Sequence, residues 1–269
     1  DHTPETVEIP AWEASASKKE EEFSRAVALG LFDYLHKSRS QGWVLSLSGG
    51  ADSSAIASLC ALSIQYATQE LGWEGLKQKL NYIPLTQQEQ VMADLLTTIY
   101  QGTVNSSQNT RDSAQQLAEW IGSTHYVIEI DGIVKGYRDL VEKAINRPLT
   151  WAQDDITLQN VQARVRAPSA WMLANIKNAL LLATSNRSEA SVGYATMDGD
   201  TSGSISPISG IDKSFIRTWL LWLEKQGFKG LHLVNSLEPS AELRPLTEKQ
   251  VDEEDLMPYP ILNTIERLV

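Results

Sequence analysis

Apolar residues recur along this chain in two periods, and the order in which those periods alternate predicts its architecture. Phe23, Val27, Leu31, Tyr34 and Leu35 fall at helical spacing, and the run Trp43–Leu47 that follows is short, apolar and suited to a buried strand. Helical spacing returns from about Ser53 to Leu71, with Ile56, Leu59, Cys60, Ala67 and Leu71 on the apolar face. Thr97–Tyr100 reads as a second strand, Thr110–Ile121 as a capped helix with Ala114, Leu117, Ala118 and Ile121 inward, and His125–Ile130 as a third strand. After a polar stretch, Asn160–Asn178 is helical in spacing, with Pro168 expected to kink or split it, and Ala179–Ala183 reads as a buried strand. Gly72–Gln90 fits neither period and is expected to be an irregular or helical insertion. Strands alternating with helices imply an α/β fold, a three-layer open parallel sheet with helices on both faces.

The first strand runs directly into Ser48-Gly49-Gly50-Ala51-Asp52-Ser53 and then a helix. Paired glycines let backbone N–H groups approach and converge on anionic oxygens, and the following helix adds its N-terminal partial positive charge, so the turn suits phosphate. Hydroxyls of Ser48, Ser53 and Ser54 offer further donors. The lysine of G-x-x-x-x-G-K-[ST] is absent, which argues against a β,γ-cleaving NTPase of that type. An ordinary strand-to-helix turn with Asp52 or Ser53 as N-cap is the plain structural alternative. Ligands of open parallel sheets sit beyond the carboxyl ends of the strands, so Asp52 should gather there with Thr184 and Glu189, which follow the strand Ala179–Ala183.

Composition narrows the chemistry. The 269 residues carry 23 Lys and Arg against 34 Asp and Glu, a net charge of −11, which opposes a nonspecific grip on nucleic acid. A single cysteine, Cys60, excludes a disulfide framework or a Cys-x-x-Cys centre within the chain and fits a reducing cytoplasm. No 18-residue apolar run or signal peptide is present, so no membrane association is expected. Residues 1–18 read as a linker and 19–269 as one domain.

The loop Ser48-Gly49-Gly50-Ala51-Asp52-Ser53 resembles the pyrophosphate-binding loop of the ATP pyrophosphatase superfamily. Further blocks resemble one of its families, the NAD synthetases, and within it the synthetase domain of the glutamine-dependent forms. These are Asn160–Arg166 (Asn-Val-Gln-Ala-Arg-Val-Arg), Thr184–Glu189 (Thr-Ser-Asn-Arg-Ser-Glu), Gly193–Asp200, Pro207–Lys213 and Glu238–Leu243. The likeness covers about residues 20–266 and implies an adenine nucleotide alpha hydrolase-like fold. It also implies amidation of deamido-NAD to NAD, with ATP as co-substrate, Mg2+ as cofactor, and AMP and pyrophosphate released. By the same resemblance Asp52 and Glu189 bind the metal, and Ser46, Ser48, Gly49, Gly50, Ser53 and Thr184 bind ATP. Asp52, Lys213 and Ser240 serve catalysis, and Asn160, Arg164 and Asp200 touch deamido-NAD.

Asn160 and Arg164 lie four apart on one helical face, a spacing from which an amide and a guanidinium can reach one ligand, whereas Arg166 points elsewhere. Lys213 opens a helix, Ser214–Glu224, where the dipole disfavours a cation unless an anion such as phosphate is near. Many family members carry an acid where Ser204 stands here, so the resemblance carries over least for substrate contacts in the loop 198–206. The resemblance further implies a homodimer, with the helix around Trp171, Leu173 and Ile176 a candidate contact. By the same resemblance ammonia should be the nitrogen donor, either free or supplied from glutamine by an N-terminal domain. Cys60, within an apolar helical pattern, is expected to be core and not a nucleophile. The acidic run Glu248–Asp255 reads either as a flap over substrate or as a solvated segment. Two other readings stay open: a GMP or asparagine synthetase-type enzyme sharing the loop, and a noncatalytic nucleotide-binding domain.

Overall fold

The computed structural model describes residues 10–237, 242–245, 253, 256–266 and 268. Four parallel strands, β1 (Trp43–Ser46), β2 (Leu96–Gly102), β3 (Thr124–Glu129) and β4 (Leu180–Leu182), form one sheet in the order β3-β2-β1-β4. Trp43 pairs with Leu96 on one side and Leu180 on the other, so β1 is central and flanked on both edges. Alternation along β1 divides the interior. Trp43, Leu45 and Leu47 point into the main core, built with α1 (Lys18–Ser38), α2 (Ala51–Lys79), α4 (Gln108–Ile121) and α9 (Lys213–Lys225). Val44 and Leu181 point the other way, against Ala170 and Ala174 of α7 (Arg166–Lys177). The expected α/β layering with helices on both faces is therefore the observed one.

Local chemistry explains most of the element ends. Gly72 has φ 68° and ψ 169°, values outside any helix, so α2 bends there and 73–79 continues as a separate short helical stretch, a helical insertion where the pattern left the form open. Ser107 caps α4 by accepting from Thr110 N, and Gly122 closes it in the left-handed region at φ 78°. Short α3 (Val91–Leu95) leads into β2.

The segment Asn160–Asn178 is split, as the proline suggested, but not at Pro168. The break falls at Val165, between α6 (Trp151–Arg164) and α7, and Pro168 sits in the first turn of α7, where its missing N–H costs no helical bond. The polar stretch holds a whole helix, α5 (Asp131–Ile145), that the sequence reading did not assign. Within the expected linker, Ala11–Ala14 forms a 3-10 turn, and the Arg25 guanidinium lies 5.1 Å from the Trp12 ring. Of the expected contact residues on α7, Trp171 and Leu173 pack inward against the small cluster, while Ile176 and its neighbour Met172 are exposed. Cys60 is fully buried, as its place in the apolar pattern suggested.

Candidate active site

The turn after β1 takes its shape from Gly49. With φ 84° it lies in the region open to glycine, and a Cβ there would sit 2.1 Å from the Thr110 carbonyl oxygen. Ser113 Oγ donates to Gly49 O at 3.0 Å, tying the turn to α4. The loop is then closed on itself: Ser48 N donates to Ser53 Oγ at 3.2 Å, Gly50 N to Ser48 Oγ at 3.3 Å, and the two hydroxyls lie 3.0 Å apart. Gly49 is buried, whereas Ser48, Gly50, Asp52 and Ser53 face a cavity of about 650 Å³. Ser54 is buried away from this cavity, so its hydroxyl is not among the loop's outward donors.

The same cavity is reached from β4. After Leu182 the chain passes through Thr184, which faces the cavity, to Asn186, the N-cap of α8 (Arg187–Val192). Asn186 forms a capping box with Glu189: its side chain accepts from Glu189 N at 2.9 Å, and its own N–H donates to Glu189 Oε2 at 3.4 Å. Because β1 and β4 are adjacent and parallel, Asp52 in the first turn of α2 and Glu189 in the first turn of α8 meet at one sheet edge. Glu189 is thus nearly buried and not a solvated surface acid.

Between these acids stands Lys213. Its ammonium donates to Asp52 Oδ2 and, at 3.0 Å, to Glu189 Oε1, and its side chain is only 5% exposed. Among the described residues, helices α10 (His232–Ser236) and α11 (Tyr259–Glu266) lie nearer the C-terminus, and the Tyr259 ring of α11 lies 5.9 Å from the ammonium. The lysine occupies the first turn of α9 behind the cap Asp212, which accepts from Phe215 N at 2.8 Å. The anions that offset the unfavourable helix dipole in this structure are the two carboxylates. Burial and the neighbouring Asp52 charge push the Glu189 carboxyl up to about 7, against the opposing pull of Lys213.

Asn160 of α6 and Asp200 line the opposite wall. Thr196 joins them, its hydroxyl donating to Asn160 Oδ1 at 2.8 Å and its N–H to Asp200 Oδ1 at 2.9 Å. Burial raises the Asp200 carboxyl above its ordinary range. Arg164 departs from the expected pairing with Asn160: it is exposed, donates from Nε to Met197 O at 3.0 Å, and is not part of the cavity wall. Arg166 is part of it, held by Nε to Gln101 O at 3.3 Å; burial pushes its guanidinium below the ordinary value, against the opposing pull of Tyr100, Asp200 and Glu242. The break at Val165 redirects Arg166, which a single continuous helix would have pointed elsewhere.

Ser46 also lines the cavity, donating to Gln101 Oε1 at 2.9 Å, and Gln101 in turn donates to Arg166 O at 2.8 Å. Over the loop side, the Glu242 carboxylate accepts from Ser107 N at 3.2 Å and Thr110 Oγ1 at 2.8 Å, at the N-terminus of α4. Sequence reasoning named neither Gln101 nor Glu242 as a site residue, although Glu242 lies in the quoted block Glu238–Leu243. Ser240 lies outside the described residues, as does the run Glu248–Asp255 apart from Glu253.

Two carboxylates already sharing one positive nitrogen form a pocket that suits a hard cation, with the lysine ammonium standing in for its charge. No cluster of three or more His, Cys, Asp or Glu able to hold a metal occurs among the described residues. A two-carboxylate set matches magnesium, which completes its shell with phosphate oxygens and water.

The family model described as NAD synthase matches residues 23–269. The chain belongs to the NAD synthase family. It is 34% identical over 278 residues to a glutamine-dependent NAD(+) synthetase of Oryza sativa subsp. indica, covering 93% of this chain and 38% of that protein. A glutamine-dependent NAD(+) synthetase of Bos taurus is 35% identical over 276 residues, covering 92% and 39%. Among solved structures, a glutamine-dependent NAD(+) synthetase from Cytophaga hutchinsonii superposes with a TM-score of 0.82 at 50% identity, over 93% of this chain and 42% of that one. An NH3-dependent NAD synthetase from Campylobacter jejuni shares the fold, with a TM-score of 0.58 at 24% identity over 83% of this chain and 90% of that one. The chain thus spans about two-fifths of the length of the glutamine-dependent relatives it matches.

Proposed function

We propose that this chain amidates deamido-NAD to NAD at the expense of ATP, through an adenylated intermediate. The observation that carries this reading is the convergence, at the carboxyl ends of β1 and β4, of a glycine loop, two carboxylates and one buried lysine. The nicotinate carboxylate is a poor electrophile. Its oxygen attacks the α-phosphorus of ATP, the bond to the bridging oxygen breaks, and pyrophosphate leaves. Ammonia then attacks the acyl carbon, AMP departs with the former carboxylate oxygen, and the nitrogen loses a proton to leave the carboxamide.

Negative charge moves onto the departing phosphates in the first step, so fixed positive groups aimed there supply the main stabilisation. The loop's N–H groups and the hydroxyls of Ser48 and Ser53 serve the phosphates, Thr184 the nucleotide, and Lys213 the leaving charge. Magnesium, when bound by Asp52 and Glu189, would neutralise phosphate oxygens. Asn160 and Asp200 orient deamido-NAD. Arg166 is added on the strength of its cavity position, and Ser240 and Arg164 are retained from the family motif.

Ammonia reaches the site free or from glutamine hydrolysed by a further domain, the latter supported by the glutamine dependence named in the relatives. No described helix is long and apolar enough to cross a membrane, and with one buried cysteine this supports a cytoplasmic setting. Homodimerisation belongs to the same reading: Met172 and Ile176 expose apolar side chains on α7, and the exposed Arg164 would gain a role at a shared interface.

The test is to incubate the purified chain with ATP, magnesium, ammonium and deamido-NAD and to measure NAD and pyrophosphate together. Equal amounts of both, lost in Asp52→Ala and without deamido-NAD, are expected. ATP binding without NAD in the presence of ammonium would turn the assignment toward a noncatalytic nucleotide-binding domain.

A further inference from the structure

The two acids are gripped from behind as well as in front. Asn186 is fully buried, and its Nδ2 donates to Asp52 Oδ1 at 3.0 Å. Its backbone N–H donates to Glu189 Oε2, and its Oδ1 accepts from Glu189 N. The orientation of this amide follows from its neighbours: Glu189 N can only donate, so Oδ1 must face it, which leaves the NH2 group for the Asp52 carboxylate. Each acid therefore spends one oxygen on Asn186 and the other on Lys213, in a closed ring of four groups. With Oδ1 and Oε2 held, Oδ2 of Asp52 and Oε1 of Glu189 are turned to a common point, the point the ammonium now occupies.

We propose that Asn186 is a positioning residue that aligns the two carboxylates to present one oxygen each to a divalent cation. The inference rests on Asp52 and Glu189 being the metal carboxylates. Partners that orient metal ligands from behind change affinity by about 10- to 100-fold when removed. The amide is suited to the task on two counts. It is neutral, so it adds no third negative charge beside two acids, and it carries donor and acceptor on one planar group, so fixing the α8 cap fixes its reach to Asp52.

Asn186→Ser separates these roles. Serine is as good an N-cap as asparagine, so the acceptor for Glu189 N is kept, and the backbone bond to Glu189 Oε2 is untouched. Only the donor to Asp52 is lost. Asn186→Thr, a slightly weaker cap of the same kind, is the second variant should the first misfold.

The experiment titrates Mn2+ into the chain by electron paramagnetic resonance, with ATP present, and records thermal melting alongside. Both variants are expected to melt close to the parent and to bind Mn2+ 10- to 100-fold more weakly. The Mg2+ concentration for half-maximal activity should rise by the same factor while kcat at saturating Mg2+ changes far less. Folded variants that bind Mn2+ within twofold of the parent, while Asp52→Asn binds it weakly, would overturn the role of Asn186 alone. Unchanged Mn2+ affinity in both Asp52→Asn and Glu189→Gln would overturn the metal assignment, and this proposal with it.

Discussion

Gly49→Ala should both destabilise the fold and damage the loop, and the size of the effect can be worked from its surroundings. The residue sits at φ 84°, where an alanine costs roughly 1–2 kcal/mol relative to glycine. Its new methyl would meet Thr110 O at 2.1 Å, Thr110 C at 2.9 Å and Ala114 N at 3.2 Å. All three are backbone atoms in the first turns of α4, which cannot rotate aside as a side chain would. Either the loop or the helix must move by about 1 Å, an overpacking strain of about 1–3 kcal/mol. Loss of unfolded-state freedom returns about 0.4–1 kcal/mol. The net is about 2–4 kcal/mol, or a fall in Tm of roughly 4–16 °C for a chain of this size.

The neighbouring Gly50 provides the contrast. It has φ −82° and its nearest neighbour to an added Cβ is the Ser48 hydroxyl at 3.4 Å, so Gly50→Ala should leave Tm within about 3 °C. Gly50 faces the cavity and Gly49 does not, so Gly50→Ala should weaken ATP binding without weakening the fold. Differential scanning calorimetry and ATP titration on both variants check this. A Gly49→Ala protein that melts with the parent, or a Gly50→Ala protein that binds ATP as well as the parent, would refute the reasoning about which glycine serves shape and which serves approach.

Other outcomes are expected from the same site. Lys213→Met leaves two nearly buried carboxylates facing one another and should cost about 3–5 kcal/mol, with partial recovery in the double variant Lys213→Met, Glu189→Gln, read by urea unfolding. The Glu189 carboxyl titrates higher in the folded protein than in the unfolded chain, so its contribution is present below the ordinary carboxylate range and is lost as pH rises toward about 7. The Tm of Glu189→Gln relative to the parent should accordingly rise from pH 4.5 to 7 and level off above, and a difference that does not change with pH would count against it. Burial holds the Cys60 thiol far above its ordinary value, so the native protein should resist thiol reagents at pH 8 and react with one equivalent only after denaturation.

How far these features were legible depended on how local their causes are. The first strand, its glycine turn and the start of α2 follow from neighbours in sequence, and the carboxyl-edge rule then brought Asp52, Thr184 and Glu189 to one cavity. Helix α5 carried an amphipathic signal in Ile133, Val134, Tyr137, Leu140, Val141 and Ile145, but Ile133, Tyr137, Leu140, Val141 and Ile145 are exposed, and its charged residues made the stretch read as polar. Asn160 and Arg164 do share α6, but Arg164 turns out to Met197 O, and the break at Val165, ahead of Pro168, brings Arg166 to the cavity instead. The proline marked that a break existed, while its tolerance in a first turn hid where the break lay. The partners of Lys213 were out of reach of any periodicity, because Asp52 stands 161 residues away and meets it only through strand order.

The lysine shows why these distant groups must be understood together. At the first turn of α9 the helix dipole opposes its charge, and burial opposes it further. Two carboxylates at the mouth of a loop built for anions are equally misplaced when considered alone, since each would repel a phosphate arriving there. Joined, the misfits offset one another: the ammonium balances the charge of the acids, and the acids offset the dipole that opposes the ammonium. Asn186 makes the arrangement specific, because it settles which oxygen of each acid faces the cavity. Positive groups held at the mouth of that loop are what electrostatic stabilisation of a departing phosphate requires.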